Sequence, residues 1–150
     1  MTSKRETIMA YFATRLATIT VANGYNTTVT TVERVITPPE ITETDFTDMP
    51  LVLLAEGSEA IDYEPSEMAM SEIGFTLYGY LKASGTTVSP TTLNAFIEDL
   101  RRLVAAESSA NGNAVDTIVT AVDVSHASGL PYASAKVSVR TLYHHEVASP

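Results

Sequence analysis

An α+β fold is what the chain predicts: a mostly antiparallel sheet of about five strands with two helices packed on it, in the order α-β-β-β-α-β-β. Three observations carry this. Two segments show apolar residues at helical spacing, Ile8, Phe12, Leu16 and Ile19 in the first and Leu93, Phe96, Ile97, Leu100, Leu103 and Val104 in the second. The segments between and after them are short, rich in Val, Thr, Ile and Tyr, and bounded by Pro, Gly and Asn. With 150 residues, 45% of them hydrophobic, the chain suits one core, so residues 1–150 are read as a single domain.

The first helix is expected over Ser3–Val21. Ser3 offers an N-cap, with Glu6 three residues on, and Asn23-Gly24 closes the far end because Gly tolerates the left-handed conformation of a last turn. Tyr25–Thr37 follows as a strand, ended by Pro38-Pro39, which cannot donate to a ladder. Pro50–Ala55 is a continuous apolar run and reads as a strand buried on both faces, broken by Glu56-Gly57-Ser58. The longest strand is expected over Glu67–Lys82. Ala69, Ser71, Ile73, Phe75, Leu77 and Leu81 form its core face, and Met70, Glu72, Gly74, Thr76, Tyr78 and Tyr80 the other. Ser89 and Pro90 open the second helix, which runs to about Ala106. Thr117–Val124 and Ala133–His145 complete the sheet, the latter alternating Ala135, Val137 and Val139 with Lys136, Ser138 and Arg140.

Charge is distributed unevenly. The formal net charge is −9, and no Lys or Arg occurs between Arg34 and Lys82. Ten carboxylates fill that interval: Glu40, Glu43, Asp45, Asp48, Glu56, Glu59, Asp62, Glu64, Glu67 and Glu72. The run contains strand-like segments, so a folded scaffold displays it, mostly on its connections. Such a surface repels polyanions instead of gripping nucleic acid. Glu40, Glu43, Asp45, Asp48, Glu59, Asp62, Glu64 and Glu67 are the candidate acidic residues of a channel or subunit interface. Arg101, Arg102, Lys136 and Arg140 are the candidate basic residues that would meet them across an interface.

Chemistry finds little footing. Cys is absent, which removes disulfides and thiolate metal sites. His144 and His145 are neighbours on a strand and point to opposite faces, so they are read as solvated or interface histidines, not as a chelating pair. Asp123, Ser125 and His126 lack a nucleophile turn, and the acidic run lacks a calcium-loop pattern. No signal peptide, membrane span, phosphate loop or zinc motif is read. The expectation is therefore no enzyme, no catalytic residue, no cofactor and no metal.

Taken in order, several segments resemble one family. They are a first helix ending in Asn23-Gly24-Tyr25, a strand with Val32-Glu33-Arg34 and prolines behind it, and Met49-Pro50-Leu51-Val52-Leu53-Leu54 before Glu56-Gly57. An acidic loop, the strand Ile73–Leu81, the helix Leu93–Val104 and a closing strand Ala135–Tyr143 follow. This layout is similar to that of the tail terminator and related minor tail or neck proteins of long-tailed bacteriophages, over nearly the whole chain but without a diagnostic motif. The resemblance implies a hexameric ring in the virion, made in the host cytoplasm. That ring caps the tail tube, provides the surface on which the head or neck docks, and lets double-stranded DNA pass without sequence-specific binding. Its partners would be further copies of the chain, the tail tube protein and a head–tail connector, with no membrane involved. Two other classes stand beside it. One is another virion ring component, a head-completion protein or a tube subunit, for which the acidic stretch Glu56–Glu67 would be a short stacking hairpin. The other is a small soluble binding module with a pocket lined by Tyr78 and Tyr80.

Overall fold

A computed structural model of the chain describes residues 2–38, 41, 47–63, 68–83, 88–125 and 131–146. It contains helix α1 (Lys4–Leu16), strands β1 (Thr31–Val35), β2 (Leu51–Tyr63) and β3 (Met68–Lys82), helix α2 (Pro90–Ala106), and strands β4 (Asp116–Ser125) and β5 (Tyr132–Glu146). The five strands form one sheet in the order β1-β2-β3-β5-β4. Every neighbouring pair is antiparallel except β1 and β2, which are parallel. The predicted α+β architecture and element order are those observed.

Both helices lie on one face of the sheet. Ile8, Met9, Phe12 and Leu16 of α1 meet Val52, Leu54, Ile73, Phe75 and Leu77, while the α2 stripe packs on the β3 and β5 residues beside them. The Phe12 and Phe75 rings sit 5.3 Å apart at a 41° tilt, a favourable aromatic geometry. On the opposite face a smaller cluster buries Met49, Leu51, Leu53 and Tyr80, with Tyr78 and Tyr132 packed against it. The alternation in β3 thus fills two layers: its odd-numbered residues serve the helices and its tyrosines serve this second cluster. Tyr80 is buried in this cluster and Tyr78 is half-buried against it.

Three boundaries differ from expectation, each for a local reason. Helix α1 stops at Leu16 instead of Val21, because the chain turns where the Thr18 hydroxyl donates to the Arg15 carbonyl. A short 3₁₀ turn at Val21–Asn23 follows, capped by Thr20 and closed by Gly24 at φ 89°. Strand β1 covers only Thr31–Val35 because the amides before it are committed elsewhere. Asn26 and Thr27 donate to Asp99, and Val29 donates to the Ile19 carbonyl.

Strand β2 does not stop at Glu56-Gly57-Ser58. It passes through them with a register shift between Glu56 and Glu59 and continues to Tyr63. That is a bulge, which keeps the strand going at the cost of a local bend. Gly57 makes it possible: a Cβ there would run into the carbonyl oxygen of Gly74 on β3, a backbone atom that cannot swing aside. Gly57→Ala should therefore force the β2 and β3 backbones apart and lower stability by about 1–3 kcal/mol. Chemical denaturation measures this, and an unchanged midpoint would mean that the two glycines are not in contact.

Candidate functional site

The first turn of α1 is joined to three strands by three consecutive residues. Ser3 accepts from the Glu6 amide, as a capping residue should, but the Glu6 side chain does not complete the box. It turns outward to Arg34 on β1, whose guanidinium takes both Glu6 oxygens at 2.7 and 2.9 Å. The same guanidinium reaches Glu56 on β2 at 2.6 and 3.1 Å. Arg34 thereby holds the Glu6 carboxyl below its usual range, chiefly through the hydrogen bond. Arg5 donates to the Gly57 carbonyl at 2.7 Å and lies 3.5 Å from Glu59, and Lys4 donates to the His144 carbonyl at 2.7 Å. These contacts fix the proximal part of the β2–β3 hairpin under α1.

Beneath Arg5 a polar row runs through the sheet. The Tyr143 hydroxyl donates to Glu59 at 2.7 Å, and Ser71, directly across from Tyr143, is 2.7 Å from Nε2 of His145. Ser71, Tyr143 and His145 are all buried. His145 is thus not a solvated histidine. His144 and His145 do occupy opposite faces, as adjacent strand residues must, and only His145 enters the core. Burial and then the Glu59 hydrogen bond push the Tyr143 phenol up to about 12. The protonated phenol is the form the fold favours. The contribution of this phenol to stability should be constant below pH 10 and fall as the pH rises from about 10 towards 12, where the unfolded tyrosine ionises first. Tyr143→Phe should flatten that fall in denaturation midpoints. An equal fall in both proteins would assign it to other groups.

A second structure-building carboxylate is Asp99 on α2. It is fully buried and accepts from the Asn26 amide at 3.0 Å, the Thr27 amide at 2.8 Å and the Asn26 side chain at 3.1 Å. Its residue type in an apolar helix stripe was the available signal, at a position that sequence reading passed over. Arg102 lies 3.8 Å from Asp99 and stacks 4.9 Å above the Tyr25 ring, so it closes the same loop.

The candidate interface residues divide accordingly. Glu40, Glu43, Asp45, Glu64 and Glu67 lie outside the described residues, as does His126. Asp48 is half-buried near the start of β2, Glu59 is held within the fold, and Asp62 is exposed near the end of β2. Glu72 stands on β3 as expected, while Glu56, Glu59 and Asp62 stand on β2 and not on the connections where most of the run was expected. Of the cations, Arg102 serves the Asp99 loop and Arg140 lies 3.5 Å from Glu72. Arg101 and Lys136 are exposed and have no ion pair among the described residues.

Among the described residues no group of three or more His, Asp or Glu side chains is placed to hold a metal ion, and no helix is long and apolar enough to cross a membrane.

The described residues form a mixed sheet with two helices on one face and a long hairpin clasped by α1. No protein-family model and no curated protein matches the chain. A solved structure does. A chain from the virion of a native gene transfer agent particle shares the fold with a TM-score of 0.58 at 13% identity, over 91% of this chain and 94% of that one.

Proposed function

We propose that this chain is a structural protein of a phage-type virion, forming a ring that caps the tail tube and joins it to the head or neck. The observation that carries this reading is the end-to-end likeness to a chain of a gene transfer agent virion. The order of elements, similar to that of tail terminators, supports the specific place in the tail. In this reading the ring is hexameric, contacts the tail tube protein on one side and a connector on the other, and passes double-stranded DNA through its centre. Asp62 faces the channel or the adjoining subunit, where an unpaired carboxylate keeps a moving polyanion from sticking. Glu59 contributes by holding the hairpin in place.

One observation favours a second virion role. Strands β2 and β3 pair from Leu51 and Tyr80 out to Tyr63 and Ala69, a much longer hairpin than the acidic stretch alone suggested. A long hairpin is the device by which a tube subunit would engage the next ring, so a tube subunit is the runner-up.

Light scattering on purified protein, with negative-stain imaging of the same sample and of assembled particles, tests the ring. A monomer at high micromolar concentration with no ring in particles would overturn it. Asp62→Lys tests the channel: this change should leave folding nearly intact, since an exposed charge contributes little individually, yet slow DNA ejection or impair tail joining. Normal incorporation with unchanged infectivity and ejection would reduce this carboxylate to a solvated charge.

A further inference from the structure

The sheet is open at both ends. Strand β4, ten residues long, pairs with β5 on one side and with no strand among the described residues on the other. At the far end β1 covers only Leu51–Ala55 of β2, and the Gly57 carbonyl is taken by Arg5, so beyond them the outer edge of β2 from Ser58 to Tyr63 also has no strand partner among the described residues. Such edges present unpaired backbone groups and act as templates for another strand. We propose that the two edges join in neighbouring copies: β4 of one subunit adds to the distal half of β2 of the next, carrying the sheet across the seam. This rests on the ring reading above and names the surface that would build it.

Side-chain direction supports the match. Val122 and Val124 lie opposite Val137 and Ala135, which face the helices. Ile61 and Tyr63 lie opposite Ser71 and Ala69, which share the face of Ile73. Both bare edges thus turn a pair of apolar residues, spaced two apart, to the same face of the sheet. In the isolated subunit these are conspicuously uncovered: Val122 is 36% exposed, Val124 56%, Ile61 43% and Tyr63 66%. A continued sheet would set the two pairs side by side as cross-strand neighbours.

Strand direction agrees. Three successive antiparallel pairings leave β2 and β4 running in opposite directions. Rotation about an axis along the strands preserves direction, so β4 meets the next β2 antiparallel. That head-to-tail contact uses different surfaces on the two partners, the kind that closes into rings. A two-fold contact of β4 with itself would leave the β2 edge bare.

Charge is complementary as well. Lys136 and Arg101 flank β4 without ion partners among the described residues, while exposed Glu33 and Asp62 flank the β2 edge in the same condition. Asp123 on β4 is already opposite Lys136. The seam would thus set Lys136 and Asp62 on the same face of the continued sheet, the one away from the helices.

The absence of Cys makes a clean test possible. Four double variants combine Ile61→Cys or Tyr63→Cys with Val122→Cys or Val124→Cys, which covers the registers available to the seam. Each is checked for parental melting when reduced, then oxidised. At least one should give a ladder of covalent oligomers from dimer up to ring size, reversed by reductant, while each single variant gives none. A covalent dimer from Val122→Cys or Val124→Cys alone would overturn the proposal in favour of two-fold β4 pairing. Oligomers seen by light scattering with no ladder from any folded double variant would overturn this seam and leave the ring intact. Monomers throughout, with no ring in particles, would overturn both.

Discussion

Phe96→Ala should lower the unfolding free energy by about 3–5 kcal/mol, the largest loss expected from any apolar residue of the α2 stripe. Phe96 is completely buried, and its neighbour in the stripe, Leu100, is equally so. The ring fills a space that β3 leaves for it, because Gly79 has no side chain there. A Cβ on Gly79 would meet the Phe96 ring at 3.0 and 3.1 Å and Leu100 at 3.3 Å. With glycine beneath it, the hole left by truncation has no flexible neighbour on that side to collapse into it, so the cavity penalty adds to the lost transfer free energy. Urea denaturation with a shared slope measures the effect. A loss below about 1 kcal/mol would mean that α2 does not pack on β3 as described.

Asp99→Ala should cost about 2–6 kcal/mol, because it strands two backbone amides, at about 1–3 kcal/mol for each unsatisfied group. The amides belong to Asn26 and Thr27. The loss has a local signature that truncation of a core residue lacks. Residues 25–28 should lose amide hydrogen-exchange protection well before the sheet does, and Arg102 loses the charge it faces over Tyr25. Asp99→Asn keeps the shape and one acceptor but turns a donor towards one amide, so it should fall between the wild type and the alanine variant. Unaltered exchange at Asn26 and Thr27 in the alanine variant would show that water replaces the carboxylate without cost.

The same residue explains where sequence reading ran out. Periodicity exposed both helices and the core face of β3, because a helix or strand that buries one face must repeat its apolar residues at a fixed interval. Asp99 sits at a core position of α2, where the stripe alone gives no reason for a carboxylate, and its partners lie 72 and 73 positions earlier in the chain. The start of β1 was misplaced for that reason: Tyr25–Thr30 has strand composition, but the Asn26 and Thr27 amides are taken by Asp99, that of Val29 by Ile19 and that of Tyr25 by Thr20. Composition reports what a segment can do, whereas the hydrogen-bond partner decides what it does. Gly57 was misread in the opposite sense. A glycine between two polar residues signals a turn, and here it marks a close backbone crossing inside a long strand. The acidic run was legible as a charge asymmetry, but which of its carboxylates are internal was not. That division depends on Arg5 and Arg34, which reach Glu59 and Glu56 from another element and another strand.

The grip of α1 on the sheet has a consequence for the order of events during synthesis. Lys4 binds the carbonyl of His144, 140 positions away, so the first turn of the first helix waits for nearly the last strand residues. Pairings that span so much chain form slowly, and an emerging chain cannot make this one until β5 has been synthesised. Arg5 and Glu6 can find β2 and β1 earlier, yet β5 lies between β3 and β4, so the sheet that α1 covers is incomplete until β5 inserts. A subunit therefore acquires its finished surface in one late step. Any assembly that reads this surface meets either a complete subunit or a chain still open along the middle of its sheet.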